Sequence, residues 1–202
     1  GGASVPRAVR KAAEGTLDAI LARHGAAVVE LARCFSGSAG ALWAPIAAAV
    51  GRTGDERALR VLSELLQLQP AADVAVLAEI DRLAAALPKP CDTQVRARVR
   101  VFLGRAEADL VTAAVLAAGR LEDNGAAGAL VPLLSHDVVT VRTSAHRVLR
   151  ELSGRHYPPD RETWSRWHRA EMDWWDHSAP FHLAELDSGS GFQVAAAVRD
   201  LT

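Results

Sequence analysis

Lysine is almost missing from this chain of 202 residues: Lys11 and Lys89 stand against 21 arginines. Aromatic residues make up only 5%, with one tyrosine, and there is a single methionine. A core built from what remains, chiefly Ala, Leu and Val, suits helices packed closely side by side. Base is not in excess either. The formal net charge is −1, which argues against a nucleic-acid binder, whose electrostatic footprint is a basic patch or stripe. The arginine bias is what a GC-rich, bacterial genome produces and is not in itself a phosphate signal. No apolar stretch approaches the ~18–20 residues of a membrane span, and no signal peptide is visible. Cys34 and Cys91 lie far apart with no CxxC or Cys/His spacing, so they read as small hydrophobes in a reducing compartment, the cytoplasm. The chain opens on Gly1-Gly2 without Met, which reads as a scar or an excised fragment.

What is present is a repeat. In "LWAPIAAAVGRTGDERALRVLSELL", Leu42, Ile46 and Val50 fall on one helical face. Gly51 and then Gly54-Asp55 interrupt the helix, and Ala58, Leu59, Leu62, Leu65 and Leu66 make a second amphipathic stretch. "LVTAAVLAAGRLEDNGAAGALVPLL" places Leu110, Ala114, Ala118, Gly119 and Leu121 in equivalent positions. Further copies start at Val141 (with Ala145, Leu149, Leu152), at Val9 (with Ala13, Leu17, Ile20) and, most weakly, at Val76 (with Ile80, Ala84, Leu87). The starts at 9, 42, 76, 110 and 141 are separated by 33, 34, 34 and 31 residues, and each period holds two helices. A partial sixth unit over 190–202 ends in "VAAAVRDLT". One helix pair cannot bury its apolar stripe alone, but the next pair covers it, so such a chain is stabilised by nearest-neighbour interfaces.

These residues resemble HEAT repeats, in particular the short HEAT-like repeats of phycobilisome lyases. Val9-Arg10 and Val141-Arg142 match the start of that unit, and "GRTGDERALRVLSELL" matches its turn and second helix. "LSGRHYPPDRETWSRW" is similar to a segment of bacterial HEAT-repeat proteins in which Leu-Thr-Gly precedes a W-x-x-W helix. The likeness covers most of residues 5–175. It implies an all-α fold, a right-handed α-solenoid forming a single domain over 1–202, with the second helix of each pair lining the concave side. It implies little about activity.

Two segments test that reading. "TQVRARVRVF", Thr93 to Phe102, alternates like a strand, yet Val95, Val99 and Phe102 also share one helical face, with Arg96 and Arg100 on another. It stands where the third unit needs its second helix, and Asp92 is placed to cap it, so a helix is expected. "WSRWHRAEMDWW" holds four of the five tryptophans. Asp160 is placed to cap a helix over 161–177, and Pro180 to stop it. At 100° per residue Trp164, Trp167, Trp174 and Trp175 fit an arc of roughly 100°, the mark of a buried stripe. Glu171 lies inside the arc and His168 at its edge. Packing is the expected role, with Glu171 as an acceptor for an indole N–H. A partner-binding hot spot is the functional alternative.

Chemistry is sparse. His156, His168, Glu171, Asp173, Asp176, His177 and His182 crowd one end of the sequence, but there is no HExxH and no pair of His four apart on a helix, so no metal is expected. No GxGxxG, P-loop lysine or Gly-x-Ser-x-Gly is present, and no cofactor or catalytic residue is assigned. HEAT-like hydroxylases carry His-Glu dipeptides that this chain lacks, and HEAT-like alkylpurine DNA glycosylases need a basic groove that its charge does not supply. Arg96, Arg98, Arg100 and Arg105 form the densest basic stretch. They read as a solvated face paired with acids, or as a groove for an acidic peptide. The expected function is a non-enzymatic scaffold for a protein or peptide partner, with no membrane and no small molecule, using Arg96, Arg98, Arg100, Trp164, Trp167, Trp174 and Trp175. The alternative is an enzyme or ligand-binding module of lyase or glycosylase type, centred on Glu171 and His168. There, apolar rings around Glu171 would keep its carboxyl protonated for general acid work.

Overall fold

The computed structural model describes residues 43–188 apart from 53, 55, 69 and 89–91, the isolated positions 15, 16 and 19, and of 185–188 the backbone alone. The unit expected from Val9, both cysteines and the partial sixth unit lie outside the described residues. Among the described residues there are nine α-helices and no strand. They are α1 (Trp43–Arg52), α2 (Glu56–Leu65), α3 (Asp73–Ala86), α4 (Thr93–Arg100), α5 (Ala108–Arg120), α6 (Ala127–Leu133), α7 (Val139–Ser153), α8 (Arg161–His177) and α9 (Ala179–Ser188). None of them is long and apolar enough to cross a membrane. The chain divides into two compact units between His156 and Tyr157.

In the first unit α1 packs on α2, and the remaining helices follow in the expected order along the chain. The first helix of each pair packs on the first helix of the next: α1 on α3, α3 on α5, α5 on α7. The second helices pack along the chain as well, α2 on α4, and each leans on the following first helix, α2 on α3, α4 on α5, α6 on α7. The core sits where four-residue apolar spacing placed it. Val76, Ile80 and Ala84 are buried, as are Ala114 and Ala118, and Val141, Ala145 and Leu149. Val50 and Leu121 are buried too, whereas Ile46, Leu87, Leu110 and Leu152 of the expected stripes are only partly covered. Small residues set the spacing. A methyl group added to Gly119 would stand 2.9 Å from Val148 Cγ2, so α5 and α7 approach closely through that glycine.

Thr93–Arg100 is helical, and the chain tightens into a 3-10 turn over Val101–Gly104. Val95, Val99 and Phe102 are all buried, so the helical reading of an alternating sequence holds. Burial of the 3.6-residue face outweighs the two-residue pattern. Asp92 caps α4 as expected, accepting from the backbone amides of Gln94 at 2.8 Å and Val95 at 3.3 Å. It also accepts Arg60 Nε at 3.1 Å from the preceding pair. Burial pushes the Asp92 carboxyl up, but the bonds from Arg60 and the two amides outweigh it and hold the group below the ordinary carboxylate range. Gly51 lies inside α1; the break comes at Gly54, whose φ of +68° is left-handed.

In the second unit α8 begins at Asp160, whose Oδ2 accepts from the Thr163 amide at 2.7 Å and the Thr163 hydroxyl at 2.6 Å. Those bonds, the hydroxyl's first, hold its carboxyl below the usual range. The helix ends at His177, and α9 starts with Ala179-Pro180, so Pro180 opens the next helix in the first turn, where its missing N–H is no loss. α8 and α9 pack on each other.

Candidate functional site

The tryptophans do not form one stripe of uniform burial. Trp164 is fully buried and is the only tryptophan of α8 that is. Its indole ring meets Tyr157 and Trp167 edge to face, each with centroids 5.4 Å apart. Its N–H donates to the carbonyl of Pro158 at 2.9 Å, so the acceptor is the backbone leading into the helix and not Glu171. Trp167 continues the chain of rings to His168, 6.2 Å away. Its own indole N–H is buried without an acceptor among the described residues.

A second set of rings gathers at the other end of α8. Trp174 meets Trp175 edge to face at 5.2 Å and stacks on His182 at 6.2 Å and 14°. Phe181 meets that histidine edge to face at 5.6 Å. Here the large apolar groups stay in solvent: Trp175 is 51% exposed and Phe181 63%, and Met172 and Leu183 are exposed as well. Met172 and Trp175, three apart, are neighbours on the surface of α8. Amphipathic angle placed both ends of the helix on one face, yet among the described residues only the end near Tyr157 and Pro158 buries a tryptophan fully, Trp174 being partly covered. Four large apolar side chains thus stand in solvent within the stretch 172–183.

Glu171 and His168 are both partly covered, but no hydrogen bond or ion pair joins them. His177 Nδ1 lies 3.2 Å from Asp173 Oδ1 on an exposed part of α8. Among the described residues no group of three His, Cys, Asp or Glu is gathered as a metal would need.

The three arginines expected on a groove part company. Arg96 Nε donates to the Leu121 carbonyl at 2.9 Å, satisfying one of the carbonyls left over where α5 ends. Arg100 Nε donates to Asp123 Oδ2 at 2.7 Å, and that carboxylate is buried. Gly125 leaves room for the guanidinium, since a methyl group there would stand 3.1 Å from Arg100 Cζ. Both side chains therefore tie α4 to the turn that follows α5. Arg98 is exposed. The same use of arginine recurs where Arg120 reaches Asp81 at 3.3 Å.

Sequence reasoning did not single out Trp43, buried at the start of α1, or the buried carboxylates Asp73 and Asp123. Asp123 had a signal in the turn composition of "LEDNGAAG" and in an arginine one helix earlier. Asp73 had none, because a polar residue ahead of an apolar period reads as a solvated helix start. Compared with protein-family models and with curated proteins, the chain matches none.

Proposed function

We propose that this protein is a HEAT-like repeat scaffold of the bacterial cytoplasm, a right-handed α-solenoid without enzymatic activity that binds a protein or peptide partner. The pair-on-pair packing of α1 to α7 supports the repeat reading. The exposed corner of α8 and α9 carries the functional one: Trp175 and Phe181 stand half or more in solvent, beside Met172 and Leu183. Tryptophan and tyrosine-like rings dominate the few residues that supply most of an interface's energy. The partner surface that suits this corner is apolar at its centre, with a mixed-charge rim to face Arg169, Asp173 and Asp176. Of the arginines, Arg98 is the one whose side chain is exposed for an acidic group, while Arg96 and Arg100 serve the fold.

The test is capture from extract of the source cells by wild-type protein and by a Trp175→Ala/Phe181→Ala variant, followed by a direct binding measurement on the purified captured protein. The proposal expects one protein retained by wild type and bound at least about tenfold more weakly by the variant. Equal binding by both removes this corner as the interface.

A further inference from the structure

Within the first unit, residues between Gln67 and Leu110 line an open cleft of about 550 Å³, a size typical of small-molecule sites. The most buried charge on its wall is Asp73, the first residue of α3, 3% exposed. Asp73 Oδ1 accepts the backbone N–H of Gln67 at 2.8 Å. Gln67 adopts a left-handed φ of 68°. Asp73 Oδ2 takes no hydrogen bond from any described residue. That oxygen is not sealed from solvent, so it stays open on the cleft that Asp73 lines. Burial pushes this carboxyl above its ordinary range, only partly offset by the Gln67 amide and the charge of Arg105.

The rest of the wall has a consistent character. Phe102 presents a ring face that already carries a cation, with the Arg105 guanidinium carbon 5.9 Å from its centroid. Leu110 and Val74 supply aliphatic surface, and Glu107 and Asp109 stand exposed on the same wall. Three carboxylates thus face one guanidinium, and Arg105 forms no ion pair with Asp73. Among the described residues these carboxylates are not gathered into a metal-binding group; a wall of aliphatic surface with carboxylates in excess suits an organic cation.

We propose that the Asp73 cleft binds a primary ammonium on an aliphatic stem, the head group on Asp73 Oδ2, the stem along Val74 and Leu110, and the second ammonium of a linear diamine at Glu107 and Asp109. The chemistry is shared by free diamines and by lysine side chains. Neither was expected from the sequence, since Asp73 and its cleft come together only when the turn before α3 meets the turn after α4.

Titration of the full chain, followed by backbone amide NMR, separates the sources. The probes are 1,5-diaminopentane, Nα-acetyl-lysine-N-methylamide and, for sign, glutarate. Saturable shifts are expected for Gln67, Asp73 and Leu110 with an amine and none with glutarate. A diamine that binds more tightly than the lysine amide assigns the site to free diamines, and the reverse order to lysine side chains. Asp73→Asn keeps an acceptor for the Gln67 amide and is expected to weaken amine binding at least about tenfold, while Arg105→Gln, which removes a competing cation, tightens it about threefold. Should Asp73→Asn not fold, Arg105→Gln decides alone. The proposal is overturned if wild type binds neither amine at millimolar concentration, if glutarate binds as well as the amines, or if neither substitution changes the affinity.

Discussion

The two units treat their large apolar side chains in opposite ways. From α1 to α7 the big residues Trp43, Phe102, Leu77, Ile80 and Leu130 are fully buried, and the exposed apolar side chains of note are valines. From Tyr157 onward the described buried hydrophobics are only Trp164 and Ala179, while a Met, a Trp, a Phe and a Leu stand in solvent. One unit closes its core through successive pairs. In the described part of the other, one tryptophan is fully buried, Trp167 and Trp174 are partly covered, and Trp175 and Phe181 stand in solvent. The contrast teaches that an amphipathic stripe reports which residues share a face, not whether anything in the same chain sits against that face.

The contrast is most severely tried at Trp164. Trp164→Ala removes the largest buried group of the second unit and is expected to destabilise that unit by about 3–5 kcal/mol. Amide hydrogen exchange would show α8 losing protection while α5 and α7 keep theirs. Equal loss throughout would mean the units are not independent in stability. Next in size is Asp123→Ala, which leaves Arg100 half-covered without its carboxylate. The cost expected in urea unfolding is about 2 kcal/mol, below that of a fully buried pair because the arginine keeps partial access to water.

Asp92→Ala removes the cap of α4 and the Arg60 contact, at about 1 kcal/mol near neutral pH. Because the folded carboxyl titrates below its unfolded value, this contribution is full above the ordinary Asp range near 3.8 and fades as pH falls through the lower folded one. Wild type and variant should therefore converge in melting temperature in acid; a constant gap would mean the carboxylate's charge is irrelevant. Smallest on stability is Trp175→Ala with Phe181→Ala, expected within about 0.5 kcal/mol of wild type by thermal unfolding. A large loss there would place these rings in the core and end the comparison.

Helices α1 to α7 are legible in the sequence because apolar residues at four-residue spacing have one way to be covered, by the neighbouring pair. Val95, Val99 and Phe102 show this even against a strand-like alternation. Asp92 and Asp160 are legible as caps because capping is a local bond between a side chain and amides two or three residues on. The acceptor of the Trp164 indole is not legible: Pro158 O reaches it through the path of the loop, where sequence spacing pointed to Glu171. Nor is the division of labour among Arg96, Arg98 and Arg100. They share one helix and one charge, and only the position of the turn after α5 decides which two are engaged. Asp73 is hidden for the same reason, since part of its surroundings comes from a segment about thirty residues on.

Arginines in this chain reach both ways along it, Arg60 and Arg100 forward to Asp92 and Asp123, Arg120 back to Asp81. Unfolding that starts at one pair therefore strips a cap or a turn from its neighbour at the same moment. Such cross-bracing adds to the coupling between adjacent members of the stack, and in a molecule almost without lysine Arg60, Arg100 and Arg120 thereby serve the architecture itself.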